Sequence, residues 1–134
     1  MNSFMLEIVT PDGLVFSGKA ESLMARCADG DVEIMKGHAD LFSSLGTGMV
    51  RLKADGKTRY ASASGGFLSV TKGAVKLVAT TFEFSEDIDK QRAERAKEKA
   101  ERLKAEAKDK ASLRIAEAKL LRALNRLNVK NHIT

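Results

Sequence analysis

Tryptophan is absent from this 134-residue chain, and cysteine, proline and tyrosine each occur once, as Cys27, Pro11 and Tyr60. A lone cysteine excludes an intrachain disulfide, so no framework of bridges holds the fold, and a reducing compartment is the simpler expectation. No run approaches the roughly 18 apolar residues of a membrane span. Glu7 interrupts the stretch where a signal peptide would need its apolar core, which predicts a soluble chain without direct membrane insertion. Catalytic machinery is equally scarce. The two histidines, His38 and His132, lie in different halves, Cys27 has no nearby histidine, and no zinc, Walker A or nucleophile-elbow pattern occurs. The chain therefore reads as a scaffold or binding platform and not as an enzyme, with Gly37-His38 in a loop whose imidazole bonds to nearby backbone.

Glycine and proline are missing altogether after Ser85, and this divides the chain. Residues 1–84 read as a β domain and residues 85–134 as a helical arm. The charge divides as well: residues 1–85 carry nine basic and nine acidic side chains, whereas residues 86–134 carry fourteen and nine, so the whole excess of +5 lies on the arm. A basic arm favours acidic partners, whether protein, phosphate or nucleic acid.

Short apolar runs fill the first part: Met5 to Thr10, Leu14 to Ser17, Glu21 to Cys27, Asp31 to Met35, Met49 to Lys53, Arg59 to Ala63, Gly66 to Thr71 and Ala74 to Phe84. Three Asp-Gly pairs, at Asp12, Asp29 and Asp55, punctuate them. Eight or more short strands at this spacing predict a sandwich or barrel. In the last run Val75, Leu77 and Ala79 alternate with Lys76 and Thr80, and Asp55-Gly56 has the chemistry of a hairpin tip. With six Phe, the core must be mainly aliphatic.

Ser85 followed by Glu86 and Asp87 predicts the capped start of a helix. Ala93, Ala96, Ala100, Leu103 and Ala107 then form a narrow apolar stripe at helical spacing, and Leu113, Ala116, Leu120, Leu124 and Leu127 form a second. The stripes match as an antiparallel pair with Ala facing Leu. At about 0.8 kcal/mol per buried methyl-sized group, four alanines contribute only roughly 3 kcal/mol, so the pair should open and close. Lys108 to Ser112 contains weak turn formers and nothing that forbids helix. One continuous helix from Asp87 to Val129, roughly 65 Å long, is the other arrangement the sequence permits.

Two readings of other classes compete. Sequence pI near 9.4 suggests a nucleic-acid-binding module, but the basic residues alternate with acids and the strands lack the aromatics that stack bases. The leucine stripe suggests a coiled-coil adaptor, or a self-dimer of the isolated chain.

An ordered set of motifs narrows the choice. Val9-Thr10-Pro11-Asp12-Gly13, Gly37-His38 with Leu41 and Leu45, Ser64-Gly65-Gly66-Phe67-Leu68 with Val70, and Arg122-Ala123-Leu124-Asn125-Arg126-Leu127 together resemble the epsilon subunits of the bacterial rotary F-type ATP synthases. The resemblance covers the whole chain. It implies a β-sandwich of about ten strands attached to the gamma subunit and the c-ring, followed by a two-helix hairpin able to extend. The extended arm is expected to meet the catalytic beta and alpha subunits and to block ATP hydrolysis, while the protein itself stays non-catalytic. It implies a peripheral position on the cytoplasmic side of the cell membrane and no nucleic-acid partner.

Ile88-Asp89-Lys90-Gln91-Arg92-Ala93 is similar to the element by which bacterial members bind ATP in the folded hairpin. The resemblance places Glu83, Ile88, Asp89 and Ala93 around the adenine side and Arg92, Arg122 and Arg126 at the phosphates. ATP, with or without Mg²⁺, is then a regulatory ligand that shifts the arm's equilibrium, since guanidinium forks hold phosphate oxygens bidentately. An arm that inhibits without sensing ATP is the alternative. Lys99 stands where such relatives often carry Arg, replacing a planar fork by a point charge. Met35-Lys36 and Asp40 also depart from the pattern around Gly37-His38.

Overall fold

The computed structural model describes residues 2–132 and divides into two compact units, one through Phe84 and one from Ser85. The first unit contains eight strands: β1 (Phe4–Thr10), β2 (Gly13–Ala20), β3 (Ser22–Cys27), β4 (Gly30–Ile34), β5 (Leu41–Ser44), β6 (Gly48–Ala54), β7 (Lys57–Thr71) and β8 (Ala74–Phe84). They hydrogen-bond in the order β2-β1-β8-β7-β6-β3-β4, with β5 also on β7. All pairs are antiparallel except β1 with β8, where Leu6 lies opposite Val75 and Ile8 opposite Leu77.

The count of eight reconciles with the expected ten through the length of β7 and β8, of 15 and 11 residues. The first part of β7 pairs with β6 and its last part with β5, and β8 accompanies it from Ala61 to Thr71. Both strands thus pass from one layer of the sandwich to the other. The sequence separates Arg59 to Ala63 from Gly66 to Thr71 at the two glycines, but in the fold the glycines bend a strand that continues. β5 carries no turn signal and too few residues to be picked out by alternation, and only its pairing with β7 defines it.

The corner is made by Gly65 and Gly66, with φ of 73° and 93°. A Cβ on Gly66 would lie 1.8 Å from the Val78 carbonyl oxygen, so no side chain can be accommodated there. Leu45 N–H donates to the Gly66 carbonyl at 3.0 Å and pins the loop after β5 to the same point. On β7 Ala61, Ser62, Ala63 and Ser64 are all buried, which explains the small side chains before the bend. Ser64 and Thr81 hydroxyls share a hydrogen bond of 2.5 Å across the pair.

Leu6, Ile8, Leu23, Ile34, Leu52, Leu68 and Leu77 are fully buried and form the centre of an aliphatic core. Val75, Leu77 and Ala79 point inward as their alternation predicts, and Lys76 and Thr80 are exposed. Asp55 and Gly56 form the β6–β7 tip with φ of 53° and 73°. His38 Nδ1 donates to the Ala39 carbonyl at 2.7 Å, the local bond expected of that loop.

Gly66→Ala should destabilise the sandwich by about 3 kcal/mol or more, because it combines a forbidden φ with a backbone collision. Gly56→Ala, which meets nothing within 4 Å, should cost only about 1 kcal/mol. Urea titration of the isolated chain with each substitution measures the difference.

Candidate functional site

The second unit begins with a 3₁₀ turn, Ser85–Asp87, and continues as α1 (Lys90–Glu106) and α2 (Lys110–Asn131). The capped start expected at Ser85 lies at Asp89 instead. Its carboxylate accepts from the Arg92 backbone N–H at 3.1 Å, giving α1 an acid cap at the positive end of its dipole. Ser85 has a different task. Its hydroxyl donates to the Val129 carbonyl at 3.4 Å, and Lys130 Nζ donates to the Ser85 carbonyl at 3.1 Å, so the end of α2 is fastened to the root of the arm.

Of the two arrangements open to the arm, the structure shows the hairpin. Ala107 closes α1 in an extended conformation, and Asp109 caps α2 by accepting from the Ser112 N–H at 2.7 Å. A connection this short makes the helices antiparallel neighbours. The Ser112 backbone and side-chain hydrogen bonds hold the Asp109 carboxyl below its ordinary value of 3.8.

Alanines dominate both facing surfaces. Ala93 and Ala100 on α1 and Ala116 and Ala123 on α2 are buried, while Leu113 and Leu124 are 36% and 42% exposed. The expected Ala-to-Leu match is corrected in part: Ala123, one residue from Leu124, joins a row with Ala116 and the half-buried Leu120 and Leu127, while Leu113 and Leu124 turn outward. Small side chains on both helices let the backbones approach, and they also keep the contact weak.

Close approach opens a groove of about 220 Å³ along one side of the hairpin, lined by Ala96, Lys99, Ala100 and Leu103 of α1 and Lys119, Arg122, Ala123 and Arg126 of α2. Four cations and four apolar side chains make up this lining, without a carboxylate or an imidazole. Two guanidinium forks and two ammonium groups converging on a methyl-lined floor suit a phosphate chain.

Of the residues assigned to a nucleotide, Lys99, Arg122 and Arg126 thus share one groove. Arg92 is exposed on the first turn of α1, while Ile88 and Ala93 are buried at 3% and 2% exposure. Asp89 serves the helix as its cap, and Glu83 is a half-buried residue of β8 in the first unit. Lys119 joins the groove although the motif does not include it. Its spacing of three from Arg122 and seven from Arg126 sets it on their face of α2 and is the signal that identifies it.

A β-sandwich followed by a two-helix arm with a cationic groove defines a platform with a helical appendage. Residues 3–85 match the family model described as ATP synthase, Delta/Epsilon chain, beta-sandwich domain, and residues 86–131 match its long alpha-helix domain. The chain is 43% identical over 129 residues to the ATP synthase epsilon chain of Bacillus velezensis, covering 96% of this chain and 98% of that one. It is 39% identical over 133 residues to the epsilon chain of Ruminococcus albus, covering 98% of each. Among solved structures, a chain of the Euglena gracilis mitochondrial ATP synthase superposes with a TM-score of 0.82 at 23% identity, covering 97% of this chain and 82% of that chain, which reflects a shared fold. The chain belongs to the ATP synthase delta/epsilon family.

The Ser112 amide should report the Asp109 cap directly. The depressed carboxyl supports the turn fully above its ordinary value of 3.8, and that support disappears as pH falls through the lower value it has in the hairpin. The Ser112 amide shift in an NMR titration should therefore move with a midpoint below 3.8. In Asp109→Asn this transition should vanish.

Proposed function

We propose that the chain is the central-stalk epsilon subunit of a rotary F-type ATP synthase, whose helical arm restrains ATP hydrolysis and whose hairpin binds ATP. Family membership over nearly the whole length supports the subunit role, non-catalytic and regulatory. The sandwich serves as the attachment to gamma and the c-ring, and the arm is the element that reaches the alpha and beta subunits. No helix among the described residues is long and apolar enough to cross a membrane. The place proposed for the subunit, peripheral and on the cytoplasmic side, follows from the family.

The groove is the observation that carries the nucleotide reading. Arg122 and Arg126 lie one turn apart on α2, with Lys99 contributed by α1, so a phosphate chain between them is held by both helices. Such a ligand binds the hairpin and has no equivalent site on a continuous helix, where the two sets of cations would be far apart. Binding therefore shifts the population toward the hairpin by the difference in affinity. ATP is a ligand here and not a substrate, since the groove lining contains no group to activate water. Free ATP matches four cations better than its Mg²⁺ complex, whose phosphate charge is partly neutralised.

Asp89 requires care as a test position, because replacing it by Ala removes the cap of α1 as well as any ligand contact. Arg122→Ala/Arg126→Ala leaves both caps in place. Calorimetric titration of the isolated chain should show ATP binding that weakens on adding Mg²⁺ and falls at least roughly tenfold in the double variant, as loss of charge-assisted bonds requires. Absence of binding by the unsubstituted chain would leave an arm that inhibits without sensing ATP. In the assembled complex, removing the arm from Asp87 onward should raise ATP hydrolysis several-fold, and an unchanged rate would remove the restraint from the account.

A further inference from the structure

Ser85 is engaged through both its side chain and its backbone by the far end of the arm. Its hydroxyl donates to the Val129 carbonyl, and its own carbonyl accepts from Lys130 Nζ, so the paired residues stand 44 and 45 positions apart in sequence. The same two carbonyls also serve the local backbone. Ser85 accepts from the Ile88 N–H at 3.2 Å, and Val129 accepts from the His132 N–H at 3.2 Å. The 3₁₀ turn that begins the arm and the last turn of α2 are thus tied through shared acceptors. Val129 has no exposed surface, although it lies in the final turn of α2, where a helix ordinarily frays.

We infer that these paired bonds are a latch that keeps the hairpin shut with no ligand bound, and that through it the tail of α2 governs the turn with which the arm begins. Only interactions that differ between two arrangements bias their balance. On a continuous helix Ser85 and Lys130 would lie roughly 65 Å apart. Both bonds are then lost, and so is the burial of Val129. The Asp89 cap, which reaches only three residues, survives in either arrangement and biases neither. Lys130 carries the larger share, because a charged donor to a part-buried carbonyl is stronger than a hydroxyl donor at 3.4 Å. Once the tail departs, the Ser85–Asp87 turn loses both contacts and is released to join α1. Extended backbone at Asp89, with φ of −84° and ψ of 109°, is what separates the two while the latch is closed. Neither Ser85 nor Lys130 lines the cationic groove, so the latch holds whether or not that groove takes a nucleotide.

Amide hydrogen exchange of the isolated chain, followed by NMR without nucleotide, tests the latch. The variants are Lys130→Met and Ser85→Ala, the conservative Lys130→Arg and Ser85→Thr, and Lys108→Met, which removes an equal charge from the exposed connection. Lys130→Met should speed exchange roughly tenfold at Val129 and, across the hairpin, at Ile88, and Ser85→Ala should do so roughly threefold. Both conservative variants should stay within about twofold of the unsubstituted chain, and Lys108→Met should leave these amides unchanged. Amides of β7 and β8 serve as the reference and should not move. Acceleration at Val129 with Ile88 unaffected would be fraying of a helix end and would overturn the latch. So would an unprotected Ile88 amide in the unsubstituted chain, an equal effect of Lys108→Met, or acceleration that extends to β7 and β8.

Discussion

Four methyl groups, those of Ala93, Ala100, Ala116 and Ala123, set how closely the two helices of the arm can approach. The groove between the helices depends on that distance. Larger side chains would hold the helices apart and separate Lys99 from the arginines of α2, leaving two charged surfaces where there is now one groove. The same smallness limits what these four side chains contribute to a few kcal/mol, on the order of a single charge-assisted interaction or two. A hairpin packed by leucines along both helices would bury more apolar surface and be held more firmly.

The sandwich is constrained in the opposite sense. Its layers are joined through β7 and β8 at a corner where Gly66 leaves no space for a methyl group, and the β5 loop bonds to that corner. Fully buried aliphatic side chains fill the interior, and the one free cysteine is buried among them. A unit held this way supplies fixed surfaces to its neighbours. Rigidity in one unit and a weakly held contact in the other are the two halves of a regulatory subunit.

How far these features are legible in the sequence depends on their chemistry. Alternation in Ala74 to Phe84 and the Asp55-Gly56 tip speak plainly, because period-two burial and positive φ have narrow residue preferences. The run from Lys57 to Thr71 misleads, since glycine usually interrupts a strand and here bends one. In the arm, Ser85 and Asp89 are both good capping residues within five positions, and only the geometry of the turn selects the second. Leu124 and Ala123 are a single helical step apart, so hydrophobicity favours the leucine while close packing favours the alanine. Lys119 is visible only once its face of the helix is known to border a groove.

The clasp between Ser85 and the Val129 to Lys130 segment gives the arm a mechanical polarity. The two ends of a hairpin are tied at its root, while its far end is a turn held by a single carboxylate. A tug on the tail of α2 therefore meets the fastener before it meets the alanine seam. Once those two bonds part, the seam peels from root to turn, one methyl contact at a time, as a zip does.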